Sequence, residues 1–270
     1  IRNTFRFILG NLSDFDDKSK VEPESQVELD KWIVNETKVL QKEVLELYES
    51  YSYHKAIQKI HNFCVTELGG IYLDIIKDRL YTCKNDSSAR RSCQTSLDFI
   101  LNTLVRLIAP ILSYTAEEIW QTSNRLNCQE DSVFLTNFDI SEMNSKSNID
   151  QSEWKRIFEI KDAVNQSIEE MRNENKLKGS LDSVVEIQAT SNDIQILKKL
   201  GDELHFLFIS SEASIREGKT FGIKISSSKN LKCVRCWHRH SSVGSYDNHA
   251  ELCNRCVDNI ENDGEQRKSL

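Results

Sequence analysis

The chain has 270 residues, of which 39% are hydrophobic and 29% charged, and its formal net charge is -7. This length predicts two or three domains, and the apolar content excludes a disordered chain. The negative charge excludes a uniformly nucleic-acid-binding surface but leaves room for a local basic patch.

Long helices are expected in the first half of the chain. With only 9 Gly and 2 Pro, the composition favours helices over strands and tight turns. Gly69 and Gly70 fall inside the helix predicted over residues 53–80, where they mark a break or a close approach between helices. Thr115 and Glu118 have the spacing of a capping box that opens the last helix. Apolar residues recur at helical spacing in residues 5–12, 25–51, 53–80, 87–108 and 115–120. Short connections between these helices predict an antiparallel bundle.

The hydrophobic period changes in the second half. Residues 124–150 are polar and predict a linker or an irregular loop, and the residues after Asp258 predict a charged tail. Between them the pattern predicts a small α+β unit. Its predicted elements are helices at residues 154–171 and 193–200 and strands at residues 184–187, 206–209 and 221–225.

Two Cys-x-x-Cys pairs stand near the end of the chain, Cys233 with Cys236 and Cys253 with Cys256. Sixteen residues separate the pairs, a spacing typical of a closed four-thiolate zinc site. The alternatives are two disulfides or four idle thiols. The other cysteines, including Cys128, follow no repeating spacing, which indicates reduced thiols and a cytoplasmic protein. No apolar run approaches the roughly 20 residues that span a bilayer, so we predict no membrane contact.

Basic residues and an aromatic side chain surround these cysteines. Trp237 and Arg239 lie beside the first pair, and such a surface suits phosphate contact and base stacking. It is equally explained if the cations offset the thiolate charge and the indole packs over the metal. Arg90 and Arg91 open a predicted helix, and a guanidinium there suits phosphate and base edges. On its own, such a pair is usually a solvated helix surface. Catalytic motifs are absent, so no catalytic residue is predicted.

Several motifs occur in an order that resembles the C-terminal part of bacterial isoleucyl-tRNA synthetases. They are IRNTFRFILGNLSDF, IYLDIIKDRLYTC, ARRSCQTSLDFI, LVRLIAPILSYTAEEIW, GDELHFLFISS, CVRCWHRH, HAELCNRC and DGEQRK. The resemblance implies a mainly α fold in three parts. These would be an antiparallel bundle of the anticodon-binding type at 1–150, a small α+β junction domain at 151–228, and a four-Cys zinc knuckle with a charged tail at 229–270.

The resemblance also implies a parent enzyme that activates isoleucine with ATP and Mg²⁺ and attaches it to tRNA(Ile). The catalytic and editing domains of that enzyme would lie outside this chain. One structural Zn²⁺ would be held by Cys233, Cys236, Cys253 and Cys256. Arg90, Arg91, Trp237 and Arg239 are the predicted tRNA contacts. A monomer that binds no DNA is expected.

Two rival functions remain open from the sequence. A DNA repair glycosylase can end in a related zinc knuckle, but it would need a catalytic amino end that these residues do not provide. A non-catalytic adaptor could use the knuckle to bind nucleic acid or protein. Salt-dependent RNA affinity would separate tRNA binding from a protein-binding adaptor.

Overall fold

The computed structural model describes residues 1–123, 126, 130–138 and 146–270. The chain divides into two compact units, unit 1 with residues 1–76 and 91–146, and unit 2 with residues 77–90 and 147–270. The described helices are α1 (Arg2–Asn11), α2 (Glu28–Glu49), α3 (Tyr53–Phe63), α4 (Leu73–Thr82), α5 (Ser88–Ile108), α6 (Ser113–Thr122), α7 (Gln151–Asn173), α8 (Ser191–Lys198), α9 (Leu204–Leu207) and α10 (Asn254–Glu261). The strands are β1 (Ser183–Ala189), β2 (Glu212–Glu217) and β3 (Gly222–Ser227). The mainly helical fold predicted from the sequence, with a small α+β part, is confirmed.

Unit 1 is helical, and its helices bury the apolar stripes that the sequence predicts. The fully buried side chains include Phe5 of α1, Ile33 of α2 and Trp120 of α6. A buried carboxylate joins three of its segments. Asp30 accepts a 2.8 Å hydrogen bond from the Tyr72 hydroxyl and another from the Ser92 hydroxyl. Because a buried carboxylate needs such donors, this contact fixes how α2 packs.

The predicted helix over residues 53–80 has a π-helical segment, Cys64–Tyr72, between α3 and α4. Gly69 and Gly70 lie within it, so the glycine pair marks a change of helical winding rather than an end of the helix. A β-carbon at Gly69 would lie 3.1 Å from the carbonyl oxygen of Cys64. That close approach gives a reason for glycine at this position.

The capping box predicted at Thr115 is wrong. Helix α6 begins at Ser113 after Leu112, and no side chain caps its first amides. The chain already turns before this point, because the Leu112 amide donates to the carbonyl of Ile108 at 2.7 Å. Thr115 therefore lies inside the first turn of the helix. A capping box does occur at α7, where Asp150 and Glu153 bond each other's backbone amides.

The sheet in unit 2 has the strand order β2-β1-β3. Strand β1 pairs with β2 in parallel, with Val185 opposite Ala213, and with β3 antiparallel, with Val185 opposite Ile225. Val185, Ile187 and Ala189 alternate along β1 and are buried. Their side chains form the covered face of the sheet.

One strand prediction for unit 2 is wrong. Residues 206–209, predicted as a strand, lie at the end of helix α9. The strand that pairs in parallel with the central strand β1 is β2 instead. A four-residue apolar run has no period that separates a buried strand from a buried helix turn. The predicted charged tail begins inside α10, and beyond that helix Arg267 and Leu270 are buried.

The predicted domain boundaries and the compact units follow different lines. The predicted junction domain and zinc knuckle both fall in unit 2, which also takes residues 77–90. Twelve of the 27 residues in the predicted linker 124–150, among them Cys128, lie outside the described residues. The seven described cysteines are all free, and no described helix is long and apolar enough to cross a membrane.

Candidate metal centre and its surroundings

The first cysteine pair lies on a short β-hairpin. The hairpin is closed by a bridge between Lys232 and Arg239. The amide of Cys233 donates to the carbonyl of His238 at 2.9 Å, and the amide of Trp237 donates back to the carbonyl of Cys233 at 3.0 Å. Trp237 occupies the left-handed region with φ 66°. This tight turn brings the thiols of Cys233 and Cys236 to one side of the loop.

The second pair lies at the start of helix α10. Cys253 is the residue before the helix, and Cys256 is in its first turn. The Cys253 amide donates to the Cys233 sulfur at 3.4 Å, and the Val234 amide donates to the carbonyl of Glu251 at 3.2 Å. Backbone contacts therefore hold the hairpin against the helix start.

The four sulfurs fit a tetrahedral metal site. They are buried and lie within 4.8 Å of one another, with 3.7 Å between Cys236 and Cys253. Zn–S bonds of about 2.3 Å in a tetrahedron would separate sulfurs by about 3.8 Å. Val243 and Leu252 pack against the sulfurs. Four thiols in such a shell could hold one metal ion.

Hydrogen bonds between the sulfurs shift their acidities. A bond with Cys236 lowers the pKa of Cys253 to about 3, and bonds first with Cys236 and then with Cys253 raise the pKa of Cys256. Sulfurs this close share protons as thiol–thiolate pairs. A divalent cation at their centre would replace those protons and favour four thiolates.

The two predicted RNA contacts beside the cysteines have different surroundings. Trp237 is 60% exposed, and the Lys232 ammonium lies 5.6 Å from its ring centroid. Arg239 is used internally, because its Nε donates to Asp182 at 2.6 Å and its Nη1 to the carbonyl of Asn230 at 3.0 Å. The Trp237 indole is thus available to a ligand, whereas the Arg239 guanidinium holds the hairpin to Asp182 within unit 2.

The predicted arginine pair divides between the two units. Arg90 is buried in unit 2 and donates to the carbonyls of Leu80 at 3.2 Å and Asn85 at 3.1 Å, which closes the α4–α5 connection. Arg91 belongs to unit 1. Its Nη1 donates to the Asp14 carbonyl at 3.0 Å and to the Gln94 side chain at 2.8 Å.

Comparison with known proteins gives two family matches for this chain. Residues 30–188 match the family described as "Anticodon-binding domain of tRNA ligase". The chain belongs to this family. Residues 230–259, which include all four cysteines of the cluster, match "Zinc finger found in FPG and IleRS". The anticodon-binding match runs through both compact units, and the zinc-finger match lies in unit 2.

Curated relatives extend the family assignment over the whole chain. The chain is 42% identical over 283 residues to "Isoleucine--tRNA ligase" of Idiomarina loihiensis and 44% identical over 282 residues to that of Pseudomonas putida strain W619. The corresponding protein of Nitrosomonas europaea is 42% identical over 276 residues. Each match takes in 99% of this chain, which spans only about 30% of the length of these relatives.

One group of charged residues in unit 2 was missed by the sequence reasoning. Asp78, Arg255, Glu265 and Arg267 form a buried cluster, called here the charge quartet. Arg255 contacts both oxygens of Asp78, at 2.6 and 2.8 Å, and Glu265 at 3.1 Å. The DGEQRK motif contains two of the four residues. Nothing in the sequence pairs that motif with Asp78, which lies 189 residues before Arg267.

Proposed function

We propose that this chain is the tRNA-binding part of an isoleucine-tRNA ligase. The observation that carries the proposal is the anticodon-binding family match over residues 30–188, joined to a zinc-finger match over a buried four-Cys cluster. In this proposal ATP, Mg²⁺ and isoleucine are used by a catalytic domain outside these residues. The chain itself contributes affinity for tRNA(Ile), acts as a monomer in the cytoplasm and supplies no catalytic side chain.

The four cysteines would hold one structural zinc ion in this proposal. The metal would join the hairpin to α10, and it has no vacant position for a substrate. Their burial, their mutual distances and the absence of a disulfide among the described cysteines support this role. The residues of the hairpin would then keep its turn in one conformation and leave the Trp237 ring exposed.

The four proposed tRNA contacts are not equal. Trp237 has the strongest support, since an exposed indole beside a lysine can stack on an unpaired base. Arg91 keeps part of its guanidinium at the surface, with 16% of the side chain exposed. Arg90 and Arg239 direct their donors to protein acceptors. Their roles in binding are therefore proposed to be indirect.

Filter binding of the full chain to tRNA(Ile) and to duplex DNA, at several salt concentrations, tests the proposal. We expect tRNA to bind more tightly, with an affinity that falls as salt rises. Trp237→Ala should weaken tRNA binding by about 5- to 150-fold, the range of one lost stacking contact. Phe221→Ala is the control, because this ring is 38% exposed and lies outside both family matches. Equal affinity for DNA, or no tRNA binding, would refute the function.

The alternative is a non-catalytic adaptor that binds protein through the knuckle. The observation that favours it is an apolar surface on the hairpin, where Leu231, Val234 and Trp237 are 64%, 55% and 60% exposed. An adaptor of this kind would show tRNA affinity no greater than its affinity for other polyanions. The salt series described above distinguishes the two functions.

A further inference from the structure

The charge quartet ties α10, the helix that carries Cys256, to the C-terminal half of α4. Arg267 bridges the two carboxylates, with 2.6 Å from its Nη2 to Asp78 and 2.8 Å from its Nε to Glu265. Arg255, inside α10, makes two further bonds to Asp78. The four charges balance, and only 2–16% of each side chain is exposed. Buried charges that are paired this fully define one geometry.

The acidities agree with this pairing. Burial on its own would raise the pKa of Asp78, but the charges and hydrogen bonds of Arg255 and Arg267 outweigh it and hold that pKa well below its usual range. Burial would also raise the pKa of Glu265, and the same two arginines lower it. Both carboxylates are therefore ionised partners of the arginines at neutral pH.

Further contacts join the same two parts of unit 2. Arg235 on the hairpin donates to the carbonyl of Thr82, the last residue of α4. The Cys83 thiol donates to Glu265 at 3.4 Å. Arg79 and Arg90 fold residues 77–90 on themselves by bonding the carbonyls of Ala89 and Leu80. The hairpin and the residues after α10 thus contact residues 77–90 directly, and internal hydrogen bonds hold those residues together.

Each side of this contact carries an exposed ring and a cation. Tyr81 is 58% exposed and precedes Thr82, while the Lys84 side chain is 40% exposed and follows two residues later. On the knuckle, Trp237 and Lys232 are exposed two and three residues from Arg235. Two aromatic faces with a lysine beside each suit unpaired bases and their phosphates.

We propose that the charge quartet positions residues 77–90 and the zinc knuckle as one tRNA-binding surface. Arg267 and Glu265 would be positioning residues that touch no RNA and act through Asp78 and Arg255. The inference rests on the proposed function and deepens it, because it makes Tyr81 and Lys84 contacts for the same RNA as Trp237. Zinc alone would then be insufficient for tight binding.

The test compares Arg267→Ala and the isosteric Asp78→Asn with the wild-type full chain. Three quantities are measured: zinc per chain, tRNA(Ile) affinity over a salt series, and amide hydrogen exchange. We expect both variants to keep one zinc ion, to bind tRNA about tenfold more weakly, and to lose about one unit of salt slope as one phosphate contact is lost. Exchange should rise in residues 77–90 and stay unchanged in β1.

Two further variants serve as controls. Arg267→Lys keeps the charge but replaces the planar guanidinium, whose Nη2 and Nε bond the two carboxylates, with a single ammonium group, so it should restore only part of the affinity. Arg216→Ala removes an exposed cation of β2 and should leave the exchange of residues 77–90 unchanged. Wild-type affinity and slope in Arg267→Ala and Asp78→Asn would overturn the inference. So would loss of zinc together with loss of binding, since the quartet would then only support the metal site.

Failure of the proposed function gives a different pattern. If the wild-type chain does not bind tRNA, that function fails, and the exchange measurement alone judges the quartet. Unchanged protection of residues 77–90 from amide exchange in Arg267→Ala would then overturn the proposed link between the charge quartet and these residues. Increased exchange confined to residues 77–90 and α10 would support it.

Discussion

The glycine pair in the π-helical segment offers a stability test with an internal comparison. Gly69 and Gly70 are adjacent and exposed, so replacing either by alanine should gain helix propensity, about 1 kcal/mol at most. The two positions differ in the space available. A β-carbon would lie 3.1 Å from the Cys64 carbonyl oxygen at position 69 and 3.4 Å from the Val65 carbonyl oxygen at position 70.

These distances predict stabilisation by alanine at one position and none at the other. At position 70 the contact is an ordinary one, so Gly70→Ala should stabilise unit 1 by about 0.5–1 kcal/mol. At position 69 the neighbour is a backbone carbonyl inside a helix, which cannot move away without disturbing its own turn. Gly69→Ala should therefore lose the whole gain, so the two variants should differ by at least about 0.5–1 kcal/mol.

Urea unfolding followed by circular dichroism measures the difference, and thermal midpoints should move by about 2–4 °C for each kcal/mol. Gly10→Ala in α1 is the control, because a β-carbon there meets no atom within 4 Å. It should give the full propensity gain. Equal stabilisation by Gly69→Ala and Gly70→Ala would refute the reasoning, because the 3.1 Å approach would then have no energetic effect.

Three further predictions concern single side chains. Tyr72→Phe removes the donor to buried Asp30 and should cost about 1–3 kcal/mol in urea unfolding, a reading that an unchanged midpoint would contradict. Burial lowers the pKa of His205 to about 3. The unfolded chain, with a pKa near 6.5, then binds the extra proton, so stability should fall as pH drops from about 6.5 towards 3. The loss is at most about 1.4 kcal/mol per pH unit and less because the ring is partly exposed; His205→Asn should flatten this dependence in urea titrations at pH 7 and 5.5. Cys256→Ser should abolish stoichiometric zinc in elemental analysis, whereas Cys83→Ser, outside the cluster, should retain it.

Local patterns in the sequence predicted what local physics determines. The stripe of α5 gave a helix whose Leu97, Ile100 and Leu104 are all buried. The two Cys-x-x-Cys turns likewise predicted a cluster, because each pair needs only its own turn and one contact with the other pair. Periodicity and short spacings carry this information, since residues three or four apart share one face of a helix.

Contacts between distant residues could not be predicted in this way. Residues 265–269 are polar or charged, and the sequence predicted a charged tail there. In the structure the Glu203 carboxylate accepts hydrogen bonds from the backbone amides of Ser269 at 3.0 Å and Leu270 at 2.7 Å. Arg267 is buried within the charge quartet. A charged side chain is buried only when its partners are present. Those partners lie far away in the chain, where no periodic pattern indicates them.

The same reasoning changes which cations of the knuckle can meet RNA. The sequence favoured arginines, because their guanidinium suits phosphates and bases. In unit 2, however, the arginines of this region at positions 235, 239 and 255 all donate to protein acceptors. Among the lysines and arginines of residues 229–257, the exposed ones are the lysines at positions 229 and 232. An ammonium group on a flexible stem contacts phosphates well but lacks the planar fork with which a guanidinium bonds a base edge. Any base preference of the knuckle should therefore come from stacking on the exposed indole, and its own share of the salt slope should be about two phosphates at most.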